Sequence, residues 1–192
     1  IFDSNSHNPR KINVSAFKNQ TLSLWNKDYA KENSKGKHYI NYWLGNNQEF
    51  YIARSSRDLK RIDIVAVNVD GSTRVLVEER MNVYQDIQKP KLIAGGKQFI
   101  HWSQRDGWGH YYLYDISGKL IHQITKGEFH CNDLSAYQES TGTLFFQANG
   151  KEKDVDPYYN FLYFVNKNGG AIKLLTPGNY DHQLEGNENA NY

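Results

Sequence analysis

Apolar and polar residues alternate in short runs along most of this chain, and the runs are separated by Gly, Asn, Asp and Ser. "IDIVAVNVDGSTRVLVEE" (62–79) is one example: two alternating runs closed by Asp70-Gly71. The same pattern recurs in "INVSAFKNQTLSLWN" (12–26), turning at Asn19-Gln20. It recurs again from Ser103 to Phe129, turning at Ser117-Gly118, and in "NFLYFVNKNGGAIKLLTPG" (160–178), turning near Asn168-Gly169. A period of two marks a strand with one buried face, and Asp-Gly, Ser-Gly or Asn-Gly closes a hairpin because these residues tolerate positive φ. The turns at 19, 70, 117 and 168 stand 51, 47 and 51 residues apart. A repeat of about 50 residues is that of a propeller blade or a similar array.

A second pair of strand-like runs precedes each later hairpin. "HYINYWLG" with "QEFYIARSSRD" precedes the hairpin at 70, "KLIAGG" with "KQFIHWSQRDG" the one at 117, and "LSAYQES" with "TLFFQANGKEK" the one at 168. Four short strands per repeat is blade architecture. The predicted fold is therefore all-β, a β-propeller of about three and a half four-stranded blades. The predicted organisation is a half blade at 10–26, blades at 27–79, 80–127 and 128–178, and a polar tail at 179–192. Closed propellers have about four to eight blades, and an open arc leaves strand edges unpaired. Neighbouring blades in a longer parent chain are the expectation, with both ends read as cuts. Edge-to-edge pairing of two copies into a homodimer is a further possibility.

Composition supports this picture. The 192 residues include 14 Tyr, 9 Phe and 4 Trp but one Met and four Pro, a balance that suits pleated, half-buried surfaces. Net charge is +2 with both signs interspersed, which is no footprint for nucleic acid. Mean hydropathy is −0.77, and no apolar run approaches the length of a membrane span. The first residues, "IFDSNSHNPRKIN", lack the basic-then-apolar order of a signal peptide. Cys131 is the single cysteine, so no intramolecular disulfide and no multi-cysteine zinc site is expected, and neither a metal nor a cofactor is assigned.

The Ser103–Phe129 stretch, "SQRDGWGHYYLYDISGKLIHQITKGEF", resembles a blade of the amino-terminal propeller domain of dipeptidyl peptidase IV, in the prolyl oligopeptidase family of serine peptidases. The flanking stretches "NNQEFYIARSSRDLKRIDIVAVNVDGSTRVLVEE" and "TLFFQANGKEKDVDPYYNFLYFVNKNGGAIKLLTPGNYDH" are similar to the blades on either side, so that the resemblance runs from about Lys37 to His182. It implies an eight-bladed propeller over an α/β-hydrolase domain whose Ser-His-Asp triad removes amino-terminal Xaa-Pro or Xaa-Ala dipeptides. It also implies an exported bacterial protein, periplasmic or extracellular, with peptide substrate as its partner. The chemistry needs a G-x-S-x-G elbow, and none occurs here, so no catalytic residue is assigned and the chain alone is expected to be inactive. The implied role is gating and positioning of substrate. The alternative is a stand-alone propeller module that binds protein or carbohydrate.

The resemblance matches Met81–Pro90 to the strand feeding a substrate-facing loop, which makes Tyr84, Gln85 and Asp86 the substrate-facing candidates, with Tyr84 packed between blades as the bland alternative. The family holds the substrate ammonium with adjacent glutamates. Glu78-Glu79 looks like such a pair but ends a blade strand, and the resemblance places the family's pair upstream of Ile1. Arg105, Asp106, Trp108 and His110 look like a site by residue type. The simpler reading is a turn at Asp106-Gly107, a Trp108 cap on the blade core and local bonding by His110. His130-Cys131 is too sparse for zinc, Asp154 and Asp156 fit no calcium loop, and Asn13 and Asn19 are glycosylation acceptors only in a secreted eukaryotic chain.

Overall fold

The computed structural model describes residue 9, residues 11–24 and residues 48–184. Among these, twelve strands form three four-stranded sheets, each a meander in sequence order. The first contains β1 (Thr21–Leu24), β2 (Glu49–Ser55), β3 (Arg61–Asn68) and β4 (Thr73–Arg80). The second contains β5 (Lys91–Ile93), β6 (Gln98–Ser103), β7 (His110–Asp115) and β8 (Leu120–Gln123). The third contains β9 (His130–Gln138), β10 (Thr143–Asn149), β11 (Phe161–Asn166) and β12 (Lys173–Leu174). Among the described residues, helix is limited to one 3-10 turn at Ala94–Gly96. The expected strand run "HYINYWLG" lies outside the described residues.

The alternation of the sequence becomes burial. In β10 and β11 every second residue is buried, and Leu144, Phe146, Ala148, Phe161, Tyr163 and Val165 share the covered face. β3 differs, because six consecutive residues from Ile62 to Val67 are buried. Ile62, Ile64 and Ala66 pack with Tyr51, Leu76, Phe99, Tyr112 and Tyr114, while Val65 and Val67 join Ile52 in a second cluster with Ile12 and Val14. This sheet is covered on both faces.

The chain divides into two compact units, residues 1–105 with 112–121 and residues 106–111 with 122–192. The core of the first centres on Phe99, whose ring stacks on Tyr114 at 5.1 Å and meets the edge of Tyr51 at 6.4 Å. The second is built on a run of rings, Tyr111 edge-on to Phe146 at 5.6 Å and Phe146 stacked near Tyr163 at 5.8 Å. Aromatic pairs of this geometry add about 0.5–1.5 kcal/mol each beyond their buried area.

One strand pairs differently from the sequence reading, which placed Thr21–Leu24 in a half blade at 10–26, ahead of a blade beginning at residue 27. Thr21–Leu24 pairs antiparallel with β2 instead, Thr21 opposite Ser55 and Leu24 opposite Ile52. The local reason is Gln20. Its side-chain oxygen accepts from the Ala16 and Phe17 amides and its amide donates to the Val14 carbonyl, so the preceding segment bonds to a side chain, leaving β1 to extend the sheet. At the other end, Asp181 Oδ1 accepts the Asn160 amide and the His182 amide donates to the Asn160 carbonyl, so the start of the polar tail is tied down.

The hairpin turns fall at the expected dipeptides: Gly71 has φ +91°, Gly118 φ +93° and Gly169 φ +85°. Two of these differ in surroundings. A Cβ on Gly118 would stand 2.6 Å from the Leu76 carbonyl oxygen and 2.8 Å from its Cα, whereas one on Gly71 would meet nothing within 4 Å. Gly118→Ala is therefore expected to cost about 3 kcal/mol or more, against about 1 kcal/mol for Gly71→Ala, which bears only the φ strain. Urea unfolding of the two variants measures the difference. Equal costs would mean that the close approach to Leu76 has no energetic weight.

Candidate functional site

The Met81–Pro90 loop leaves β4 and is fixed at two points. Gln85 is 2% exposed, its backbone amide donates to the Leu59 carbonyl, and its side-chain amide donates to the Lys60 carbonyl at 2.8 Å. One residue on, the Asp86 amide donates to Gln104 Oε1 at 3.0 Å. Gln85 thus anchors the loop to the turn between β2 and β3, and a side chain so committed does not face a substrate. Tyr84 is 63% exposed and Asp86 is exposed beside it, so two of the three candidates point outward from a pinned backbone. The packing suggested for Tyr84 is not observed.

The start of this loop is set by an unusual carboxylate. Glu78 and Glu79 sit on a strand, so they point to opposite faces. Glu78 is exposed and pairs with Arg80, whereas Glu79 is buried and accepts from His101 Nε2 at 3.1 Å and from the Arg105 guanidinium. Arg105 also donates to Ser103 Oγ and lies over the Tyr112 ring at 4.3 Å. Burial alone would raise the Glu79 carboxyl, but the hydrogen bond from His101 and the charge of Arg105 outweigh it and hold the group below its ordinary range. His101 is pushed down by burial, which exceeds the pull of Glu79. Geometry agrees, since its buried Nδ1 has no hydrogen-bond partner and an imidazolium would strand a proton there. The arrangement is a neutral imidazole donating to a carboxylate already neutralised by arginine, and offers no open ammonium site.

A second buried carboxylate lies on the other face of the same sheet. Asp63, fully buried, accepts from Arg54 at 2.7 Å, Arg80 at 2.8 Å and Arg61 at 3.2 Å. Burial opposes its ionisation, yet the three guanidinium groups keep the carboxyl low. Arg54 also reaches the Val14 carbonyl, and Arg61 covers the Phe17 ring at 4.1 Å, which fastens the amino-terminal segment over this face. Sequence reading did not single out Asp63 or His101. The available signal was alternation: Asp63 shares a face with Val65, and His101 shares one with Phe99.

The turn before β7 also departs from expectation. Trp108 is 42% exposed and does not cap a core, because Asp106 fastens the turn outward: one carboxylate oxygen accepts the Trp108 amide and the other takes the Gln123 amide at 2.7 Å. His110 does bond locally, to Thr125 Oγ1 at 3.1 Å and the Gly127 carbonyl at 3.0 Å, and is fully buried. The buried Cys131 thiol lies 3.7 Å from His110 Nδ1, and burial pushes it up to about 12. No group of three or more His, Cys, Asp or Glu gathers as a metal site among the described residues.

Over residues 6–192 the sequence matches the family described as the dipeptidyl peptidase IV (DPP IV) N-terminal region. The chain belongs to that family. Among solved structures it is similar to dipeptidyl peptidase 4 of Porphyromonas gingivalis, with a TM-score of 0.69 and 19% identity over 92% of this chain and 22% of that one. A chain assigned as dipeptidyl aminopeptidase IV from Bacteroides ovatus gives 0.65 and 18% over 89% of this chain and 24% of that one. A chain assigned as TolB from Agrobacterium tumefaciens gives 0.51 and 16% over 71% and 48%. The fold of this DPP IV family member is a partial β-propeller, all-β as its alternation predicts, and the chain spans about a quarter of the length of the two peptidase structures. Both of those are bacterial proteins. Among the described residues no helix is long and apolar enough to cross a membrane.

The Glu79–His101 contact generates a pH dependence. His101 has a folded value below its unfolded one, so below about pH 6.5 the unfolded chain takes up a proton that the native ring refuses, and stability falls with pH. Glu79, also depressed, loses its contribution only at lower pH, below about 4.5. His101→Gln, which keeps a donor for Glu79, is expected to flatten the stability profile just below pH 6.5 and leave the lower limb. Urea unfolding from pH 7.5 to 4 would show it, and an unchanged upper limb would acquit His101.

Proposed function

We propose that this chain is a non-catalytic propeller segment of a serine exopeptidase of the DPP IV type, and that it gates and positions peptide substrate. The observation that carries the reading is the Met81–Pro90 loop in a DPP IV family propeller: a buried Gln85 anchor with Tyr84 exposed beside it. A ring held on a pinned backbone contacts a peptide at little ordering cost. In this reading the parent polypeptide removes amino-terminal Xaa-Pro and Xaa-Ala dipeptides with a hydrolase domain and works outside the bacterial cytoplasm. Tyr84 supplies an apolar face and a hydroxyl to the substrate, and Asp86 supplies an acceptor.

The first test is hydrolysis of Gly-Pro-p-nitroanilide by the full-length polypeptide and, alongside, by the 192-residue chain. Activity in the first and none in the second is expected; silence in both, with the proteins folded, defeats the peptidase reading. The loop has its own test. In the full-length protein Tyr84→Ala should raise KM about three- to tenfold with kcat within about twofold, because the lost contact is made equally in the ground and transition states. Its thermal midpoint should not move, since the side chain is largely exposed. Unchanged KM would remove Tyr84 from the site.

A further inference from the structure

The unit formed by residues 106–111 and 122–192 contains a groove of about 640 Å³, within the size range of ligand sites. Ile124, Phe129 and Ile172 give it an apolar lining, and His122, Lys126 and Lys151 give it polar groups. No aspartate or glutamate lines it. Lys151 is held in place: its ammonium lies 5.6 Å from the Tyr163 ring and 6.0 Å from that of Phe129, contacts that favour a fixed cation. Its acidic neighbour is Glu152 at 3.7 Å, whose same oxygen also accepts the Tyr163 hydroxyl at 3.0 Å, so the charge of Lys151 is only partly answered. Lys126 is exposed and has no ion-pair partner among the described residues. The His122 ring is fixed through Nε2 on the Lys167 carbonyl at 2.8 Å, and the turn at Asn168–Ile172 closes the other wall.

We infer that this groove binds an acidic peptide segment, with a side-chain carboxylate between Lys126 and Lys151 and a neighbouring apolar side chain against the half-buried Ile172. Charge complementarity selects the occupant: the lining carries Lys126 and Lys151 and no carboxylate, and the one acid beside them, Glu152, shares its oxygen between Lys151 and the Tyr163 hydroxyl, which leaves room for a carboxylate from outside. A nucleic acid is disfavoured by the same inventory. It would need a longer basic track and an open stacking ring, whereas Phe129 is 4% exposed and net charge is only +2. The groove shares no residue with the Met81–Pro90 loop, and the inference does not depend on the peptidase reading.

The test is a fluorescence anisotropy titration of the full chain with a labelled Asp-Leu-Asp-Leu peptide and with its Asn-Leu-Asn-Leu twin. The acidic peptide is expected to bind about three- to tenfold more tightly, and its affinity should fall as salt rises. Ala171→Glu, at an exposed position lining the groove, should weaken the acidic peptide by a similar factor and leave the twin unchanged, and Lys126→Gln should do the same. Both positions are exposed, so near-UV circular dichroism is expected to match the parent, and if one variant misfolds the other decides. Equal affinity for the twins, no saturation of the acidic peptide by millimolar protein, or indifference to both substitutions would each overturn the inference. Tighter binding of a single-stranded oligonucleotide or of anionic vesicles, lost in the same variants, would overturn the assignment to peptide.

Discussion

A buried carboxylate has to be answered, and Glu79 is answered from the next sheet. Its partners are His101 on β6 and Arg105 at the end of that strand, so the last turn of β4 is tied to a neighbouring element by groups that cannot separate cheaply. Removing one side of such an arrangement leaves a charge in low dielectric, at a cost of about 3–5 kcal/mol, far more than an exposed ion pair contributes. Arg105 is itself confined by Ser103 and by the Tyr112 ring. The point from which the Met81–Pro90 loop departs is therefore fixed. Gln85 then fixes its middle, and Tyr84 is left as the part that is free to meet something else.

Asp63 applies the same logic to the opposite face. Three guanidinium groups converge on one fully buried carboxylate, and two of them extend to the amino-terminal segment through Val14 and Phe17. The first sheet thus carries, on each face, an apolar patch beside one buried acid. A sheet with buried apolar residues on both faces differs from an ordinary antiparallel sheet with one wet side, and blades packed face to face have this character. Ionic contacts at both faces also fix register. A two-residue slip would keep the apolar patches packed but would strand Asp63 and Glu79.

The repeat and its turns were legible because local chemistry decides them. Period-two alternation needs only one strand, and Asp70-Gly71, Ser117-Gly118 and Asn168-Gly169 form turns at positive φ whatever lies nearby. What was not legible depends on partners distant in sequence. The four residues of β1 alternate as well as any strand, but whether they close a hairpin within 10–26 or pair with β2 is decided by the Gln20 side chain and by the open edge of β2. Gln85 reads as an ordinary polar loop residue until the carbonyls of Leu59 and Lys60, some 25 positions earlier, are seen beneath it. Trp108 reads as a core residue by type, yet Asp106 turns its backbone outward. Glu79 and His101 were half legible, since each occupies an inward position in an alternating strand whose neighbours are apolar.

The buried reactive groups also indicate where chemistry does not occur. His110, Thr125 and Cys131 form a cluster with the residue types of a nucleophile and its base, at 3.1 to 3.7 Å. Thr125 Oγ1, however, accepts the Tyr111 amide and is fully buried, both His110 nitrogens are engaged, and the Cys131 thiol is pushed up to about 12 by its surroundings. A nucleophile has to be reachable and easily deprotonated, and this one is neither. The cluster is a polar bolt between β7 and β9. Tyr84 and Asp86 on one unit and Lys126 on the other are exposed instead, where a side chain can meet another molecule.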